Sequence, residues 1–141
     1  MEKWVVYALI SMLFAGFTSV ISKMGLAGIS GEIGLTIRTL FVSILVIGFA
    51  IYAIPAQELA TVNRTNVFWL GLSGLTTTLS WVFYYKALKL GDVATVALID
   101  KGSVVVAILL AWLLLKETIT LRIIIGGTLI VGGLLVMVKK H

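Results

Sequence analysis

Long apolar runs, separated by short polar breaks, follow one another along this chain. Five of the runs are long enough to cross a lipid bilayer as a helix, which takes roughly 20 apolar residues. They cover residues 4–22, 34–54, 67–88, 93–115 and 120–138. The pattern predicts an all-α membrane protein in which residues 1–141 form a single domain of five transmembrane helices.

The links between these runs are short, and only residues 55–66 have the composition of a polar loop. Gly91 is a typical helix stop, and Asp92 is expected to cap the fourth helix at its N-terminus. Thr118 or Thr120 is expected to cap the fifth helix in the same way. Links this short make consecutive helices antiparallel neighbours.

The composition narrows the possible classes of protein. The chain is 60% hydrophobic and 12% charged, with a mean hydropathy of +1.15, whereas a soluble domain carries about 25% charged residues. This argues against a soluble globular protein and excludes disorder. There is no Cys, and the one His is residue 141, so the sequence predicts no disulfide, no metal or cofactor site and no enzyme. The net charge of +5 is spread singly, which is typical of membrane-interface anchors and not of a nucleic-acid surface.

The basic residues also bear on topology. If the five runs cross the membrane in turn, the Lys and Arg outside the fourth run divide between its two sides. Four fall on the side that holds the N-terminus and six on the side that holds the C-terminus. Cytoplasmic loops carry the excess of Lys and Arg, so the count mildly favours a cytoplasmic C-terminus. A bias this small also suits a chain that inserts in both orientations, and identical chains with an odd number of spans then form an antiparallel pair. Both topologies remain open.

Three charged residues lie within the predicted spans: Arg38, Asp100 and Lys101. Each costs about 2.5–3.5 kcal/mol at the centre of a membrane helix, so each is a functional candidate. Because neighbouring helical residues point about 100° apart, we expect Asp100 to pair not with Lys101 but with another helix, first with Arg38 and second with Lys86. Such a pair is either a structural lock or a site for a substrate or coupling ion.

The third run is rich in aromatic and hydroxyl side chains. They are Ser73, Thr76, Thr77, Thr78, Ser80, Trp81, Tyr84 and Tyr85. Thr77, Ser80 and Tyr84 share a helical face, and Lys101 is expected to lie over Trp81 or Tyr84 in a cation–π contact. One interpretation is a pocket for a solute with polar and apolar parts. The other is that the hydroxyls bond to their own helix and the aromatics anchor it at the interface.

The fifth run carries small residues at helical spacing. Gly126, Gly127, Gly132 and Gly133 leave room for close contact between helices. The sequence therefore predicts a helix-packing interface there, within one chain or between two chains.

The order of several segments resembles a known family. The segments are Ala97-Leu98-Ile99-Asp100-Lys101-Gly102-Ser103, Leu113-Leu114-Leu115-Lys116-Glu117-Thr118 and Ile125-Gly126-Gly127-Thr128, together with Trp4, Lys23-Met24-Gly25-Leu26 and Ile37-Arg38 near the start. The chain resembles the EamA-like domain of the drug/metabolite transporter superfamily, in particular its five-span bacterial and archaeal branch. The resemblance implies a five-helix repeat, which larger members contain twice in inverted orientation, and movement of small organic solutes by alternating access.

With one repeat present, the resemblance implies a homodimer in the inner membrane. The related small multidrug resistance proteins rely on an acidic residue in the first span, but residues 4–22 contain none, which leaves Asp100 as the carboxylate available for coupling. The alternative is a non-transporting or hetero-pairing subunit that needs a second half-chain. The residues expected to line the cavity are Arg38, Ser80, Trp81, Tyr84, Asp100 and Lys101.

Overall fold

The protein is helical throughout the part of the chain that the structure describes. The computed structural model describes residues 2–138 and contains no strand there. The helices are α1 (Lys3–Gly25), α2 (Gly31–Ala53), α3 (Ala56–Leu59), α4 (Arg64–Leu90), α5 (Val93–Asp100), α6 (Ser103–Leu115) and α7 (Leu121–Val138). The predicted all-α class is confirmed.

Four helical stretches are long and apolar enough to cross a membrane. They are Lys3–Gly25, Gly31–Ala53, Arg64–Leu90 and Val93–Leu115. The fifth predicted run is a shorter apolar helix, Leu121–Met137, which rises about 26 Å at 1.5 Å per residue. That rise is slightly less than the bilayer core of about 30 Å, so the described chain has four candidate spans.

Local sequence explains several helix ends. The Ser30 hydroxyl accepts a hydrogen bond from the Ile33 N–H at 3.3 Å and so caps α2. That helix ends at Ala53, and Ile54 after it has extended backbone, because the ring of the following proline disfavours helical geometry. The predicted Thr120 cap is confirmed, since its hydroxyl accepts from the Ile123 N–H at 3.4 Å. Asp92 occupies the N-cap position of α5, but its side chain makes no capping hydrogen bond.

The fourth predicted helix is not continuous. Helix α5 ends at Asp100 and α6 begins at Ser103, with a turn between them. The Gly102 N–H donates to the Ile99 carbonyl at 2.9 Å, an i to i−3 bond that tightens the last turn. A Cβ on Gly102 would lie 2.9 Å from Leu134 Cδ1. A glycine therefore allows the turn to form beside α7.

The chain separates into two compact units, one of residues 21–90 and the other of residues 1–20 with 91–141, of which 2–20 and 91–138 are described. The buried apolar side chains of the described chain all belong to residues 21–90. They are Leu26, Leu35, Tyr85 and Leu88. Most other large apolar side chains are exposed, as expected where lipid is the solvent.

Candidate functional site

The candidate site lies in residues 21–90, where α2 and α4 pack closely. A Cβ on Gly31 would lie 2.9 Å from the Tyr85 carbonyl oxygen, so only glycine allows this approach. A Cβ on Gly34 would also clash with the side chain of Leu26. The approach buries Tyr85 and Leu88, which are 4% and 0% exposed.

Two lysines hold the adjacent helix ends together. The Lys23 ammonium donates to the Leu88 carbonyl at 2.6 Å and to the Lys89 carbonyl at 3.4 Å. In return, the Lys89 ammonium donates to the Leu26 carbonyl, just beyond α1, at 2.9 Å. The last carbonyls of a helix lack partners within the helix, and a cation also stabilises the negative end of the helix dipole. We call these contacts the reciprocal lysine caps.

Further polar contacts surround Tyr85. Its hydroxyl lies 2.9 Å from the Ser22 hydroxyl. On the neighbouring turn, Lys86 Nζ lies 3.3 Å from Glu32 Oε1. Lys86, the second predicted partner of Asp100, is therefore paired with a carboxylate on α2. Both members of that pair are more than half exposed, and such pairs contribute about 0–1 kcal/mol.

Arg38 lies over aromatic rings within a candidate membrane span. It is seven residues, or about 10 Å, into α2, and its Cζ lies 4.3 Å from the centre of the Trp81 ring and 5.9 Å from that of Tyr85. We call these three residues the Arg38 cluster. The contact is a cation–π interaction, for which Trp is the best partner. The sequence did not predict Arg38 as a cation over Trp81, and the expected contact of Lys101 with Trp81 or Tyr84 stays a prediction.

Helical periodicity accounts for the Arg38 cluster. Gly31, Leu35 and Arg38 are spaced four and three residues apart, so they share the face of α2 that meets α4. Trp81 and Tyr85 are spaced four apart on α4 and present their rings to that face. The close contact at Gly31 therefore sets the rotation of α2 against α4. This rotation determines which aromatic rings Arg38 contacts two turns further along.

One nitrogen of Arg38 has no acceptor. Nη1 is buried and makes no hydrogen bond within residues 2–138. A guanidinium carries five N–H donors and no acceptor. An unsatisfied buried donor costs about 1–3 kcal/mol, and more when it is charged. The Arg38 cluster thus contains a charged donor whose hydrogen-bonding capacity is unused within residues 2–138.

The remaining predicted residues of α4 differ in their surroundings. Tyr84 is half-buried, and its ring lies edge-on to that of Tyr85 with centres 6.3 Å apart. Ser80 is exposed. The hydroxyls of Thr76 and Thr78 bond to carbonyls of their own helix, those of Ser73 and Gly74, each at 2.9 Å, which fits the alternative interpretation for those two residues. Tyr85 was not among the predicted cavity residues, although its four-residue spacing from Trp81 pointed to it.

Asp100 and Lys101 lie in the other unit and pair with each other. Asp100 Oδ2 is 3.7 Å from Lys101 Nζ, so the prediction that they do not pair is wrong. Their side chains are 38% and 59% exposed. The 100° separation applies within a continuous helix, whereas α5 ends between these two residues. The pairing of Asp100 with Arg38 stays a prediction.

The glycines of α7 have little packed against them within the chain. A Cβ on Gly127 would make an ordinary contact with Ile108 Cδ1 at 3.6 Å. A Cβ on Gly126, Gly132 or Gly133 would meet nothing within 4 Å in the described chain. The predicted packing interface stays a prediction for all four glycines. Among residues 2–138 no cluster of His, Asp and Glu is suited to a metal ion.

Comparison with known proteins gives one consistent result. The sequence profile of the EamA-like transporter family matches residues 2–139. A Sinorhizobium protein described as "Uncharacterized transporter in cobO 3'region" is 34% identical over 136 residues, which cover 96% of each chain. No solved structure matches the chain significantly.

Proposed function

The chain belongs to the EamA-like transporter family, and we propose that it moves small organic solutes across the inner membrane by alternating access. In this proposal α7 is a fifth membrane span, and residues 1–141 act as one domain. Two copies pair as a homodimer, which is antiparallel if the chain inserts in both orientations. The stripe of glycines on α7 supplies a packing surface for such a pair.

The observation that carries the proposal is the guanidinium of Arg38 within a candidate membrane span. A charge in a membrane helix is costly and marks a functional site by default. Here the charge lies over Trp81, with Tyr84 and Tyr85 nearby on the same helix. Aromatic walls with a few polar groups suit the binding of small solutes. Ser80, one residue before Trp81, is proposed as an added polar contact.

Asp100 and Lys101 have a separate role in the proposal. They flank the end of α5, where the fourth span is interrupted. Interrupted membrane helices hold coupling ions in many transporters, because their freed backbone groups and nearby charges face a cavity. We assign coupling to Asp100, and we assign to Lys101 the balancing of its charge when no coupling ion is bound.

Transport is tested by reconstituting the full chain in lipid vesicles and measuring counterflow of labelled amino acids, sugars and nucleosides. We expect accumulation of at least one solute above that in empty vesicles. Arg38→Gln is expected to abolish the accumulation, whereas Arg64→Gln, at an exposed residue at the start of α4, leaves it intact. Vesicles that accumulate none of the solutes would contradict the proposal.

Coupling and assembly are tested on the same preparation. Asp100→Asn is expected to keep counterflow but to lose uptake driven by an ion gradient, while Glu117→Gln retains both. Crosslinking is expected to give dimers, and reporters fused to each terminus give signals on both sides if the dimer is antiparallel. A chain that stays monomeric after crosslinking would instead favour the hetero-pairing subunit.

A further inference from the structure

We propose that Arg38 binds the carboxylate of the transported solute, so that the chain carries small organic monoanions. This rests on the proposed function, and it adds the chemical class of the solute. It starts from the unsatisfied Nη1 of Arg38. A carboxylate is the natural partner for that donor, because its two oxygens match the fork of a guanidinium.

The charges around Arg38 favour an anion. Residues 21–90 hold five Lys or Arg and two Glu, a net charge of +3. Four of those cations, Lys23, Arg38, Lys86 and Lys89, accompany a single carboxylate near the α2–α4 contact, that of Glu32. Glu32 is paired with Lys86, so it does not neutralise Arg38. A positive field of this kind raises the local concentration of anions.

The same set of cations limits the negative charge of a solute that Arg38 can bind. Lys23 and Lys89 donate to backbone carbonyls in the reciprocal lysine caps, and Lys86 faces Glu32. One guanidinium, that of Arg38, is left with a donor to spare. The forked donor of Arg38 matches a carboxylate with one negative charge, whereas a phosphate monoester carries nearly two and has, within residues 2–138, no second cationic side chain over the aromatic rings to bind it.

The aromatic rings do not reverse this preference. Rings such as those of Trp81 and Tyr85 attract cations, and an empty aromatic cage would suit an ammonium solute. Arg38 already fills that role at 4.3 Å from the Trp81 ring, and its charge repels a second cation. The half-buried ring of Tyr84 is left to pack against the apolar part of the solute.

The test uses the full chain in detergent with labelled benzoate as the probe. Unlabelled benzamide and benzylamine, close to benzoate in size, and inorganic phosphate serve as competitors. Benzoate is expected to bind about ten- to hundredfold more tightly than benzamide, as for a hydrogen bond between charged partners. Equal binding of benzamide or benzylamine, displacement by phosphate at equal concentration, or no binding of benzoate would each overturn the inference.

Variants assign the preference to Arg38. Arg38→Gln is expected to remove the difference between benzoate and benzamide, and Arg64→Gln to preserve it. If Arg38→Gln does not fold, Arg38→Lys keeps the charge but loses the fork, and it is expected to lower the preference several-fold. A benzoate preference that survives in both Arg38 variants would contradict the assignment.

The inference and the proposed function fail in different ways. Vesicles that accumulate neutral or cationic solutes but exclude benzoate would support transport and overturn the carboxylate inference. A chain that binds benzoate through Arg38 in detergent, yet accumulates no solute in vesicles, would support the binding site and contradict transport.

Discussion

The two compact units of this protein are built differently. In residues 21–90, glycines allow α2 and α4 to touch, and lysines, a tyrosine and an arginine make contacts between distant parts of the sequence. In the other unit, the described residues include no buried large apolar side chain, and the ion pair joins sequence neighbours. Long-range order thus depends on a small number of close approaches and not on overall hydrophobicity, since α4, in the unit with the buried core, is less apolar than α5, α6 and α7.

The largest expected effect comes from the buried core of the first unit. Leu88 is fully buried, and Leu88→Ala should lower the free energy of unfolding by about 2–5 kcal/mol, through lost contact and a residual cavity. The matched control is Leu135→Ala in α7, at a side chain 67% exposed. Unfolding in a denaturing detergent gives both values. Equal losses for the two variants would remove the contrast between the units.

Gly31 should show the next largest effect. Gly31→Ala places a Cβ 2.9 Å from the Tyr85 carbonyl, and we expect a loss of about 1–3 kcal/mol from overpacking. The control is Gly16→Ala in α1, where the added methyl meets open space. In a helix interior that change should stabilise by about 0.5–1 kcal/mol. The same unfolding titration measures both changes in the free energy of unfolding, which are expected to have opposite signs. A stabilising Gly31→Ala would refute the close contact.

The reciprocal lysine caps should contribute less. Lys23→Met or Lys89→Met removes a charged donor to a helix end and is expected to cost about 1 kcal/mol. The double variant tests whether the two caps support one another, through a coupling energy that differs from zero. Lys116→Met in the other unit is the control. Strict additivity would mean that the caps act independently.

The smallest effect is expected for the exposed ion pairs. Lys86→Gln and Lys101→Gln each remove one partner of a pair in one of the two units. Each should change the free energy of unfolding by less than about 1 kcal/mol. The Lys86 pair joins two helices, so its effect should fall as salt is raised. A large effect of Lys101→Gln on unfolding would show that the second unit is held by its charges.

Hydropathy located the helices well because the need for about 20 apolar residues leaves few alternatives. Hydropathy did not locate the interruption between Asp100 and Ser103. A turn closed by Gly102 changes neither the length of the apolar run nor its average hydropathy. The span count differs for a related reason, because the fifth helix is marginal in length.

The candidate site was predicted in part. Arg38 stood out because a charge in an apolar run is conspicuous, and Trp81 because aromatics with polar edges suit a site. The hydropathy pattern placed both residues within predicted spans, but it gave no rotation of one helix against another. That rotation is set by Gly31 at the α2–α4 contact, which explains why the contact of Arg38 with Trp81 was not predicted.

Gly31 and Arg38 occupy one stripe of a single rigid helix, two turns apart. A rotation of α2 about its long axis would therefore break the close contact of Gly31 with the Tyr85 backbone. The same rotation would move the Arg38 guanidinium away from the Trp81 ring. If Arg38 binds the solute as proposed, rotation of α2 and the affinity for that solute are therefore coupled.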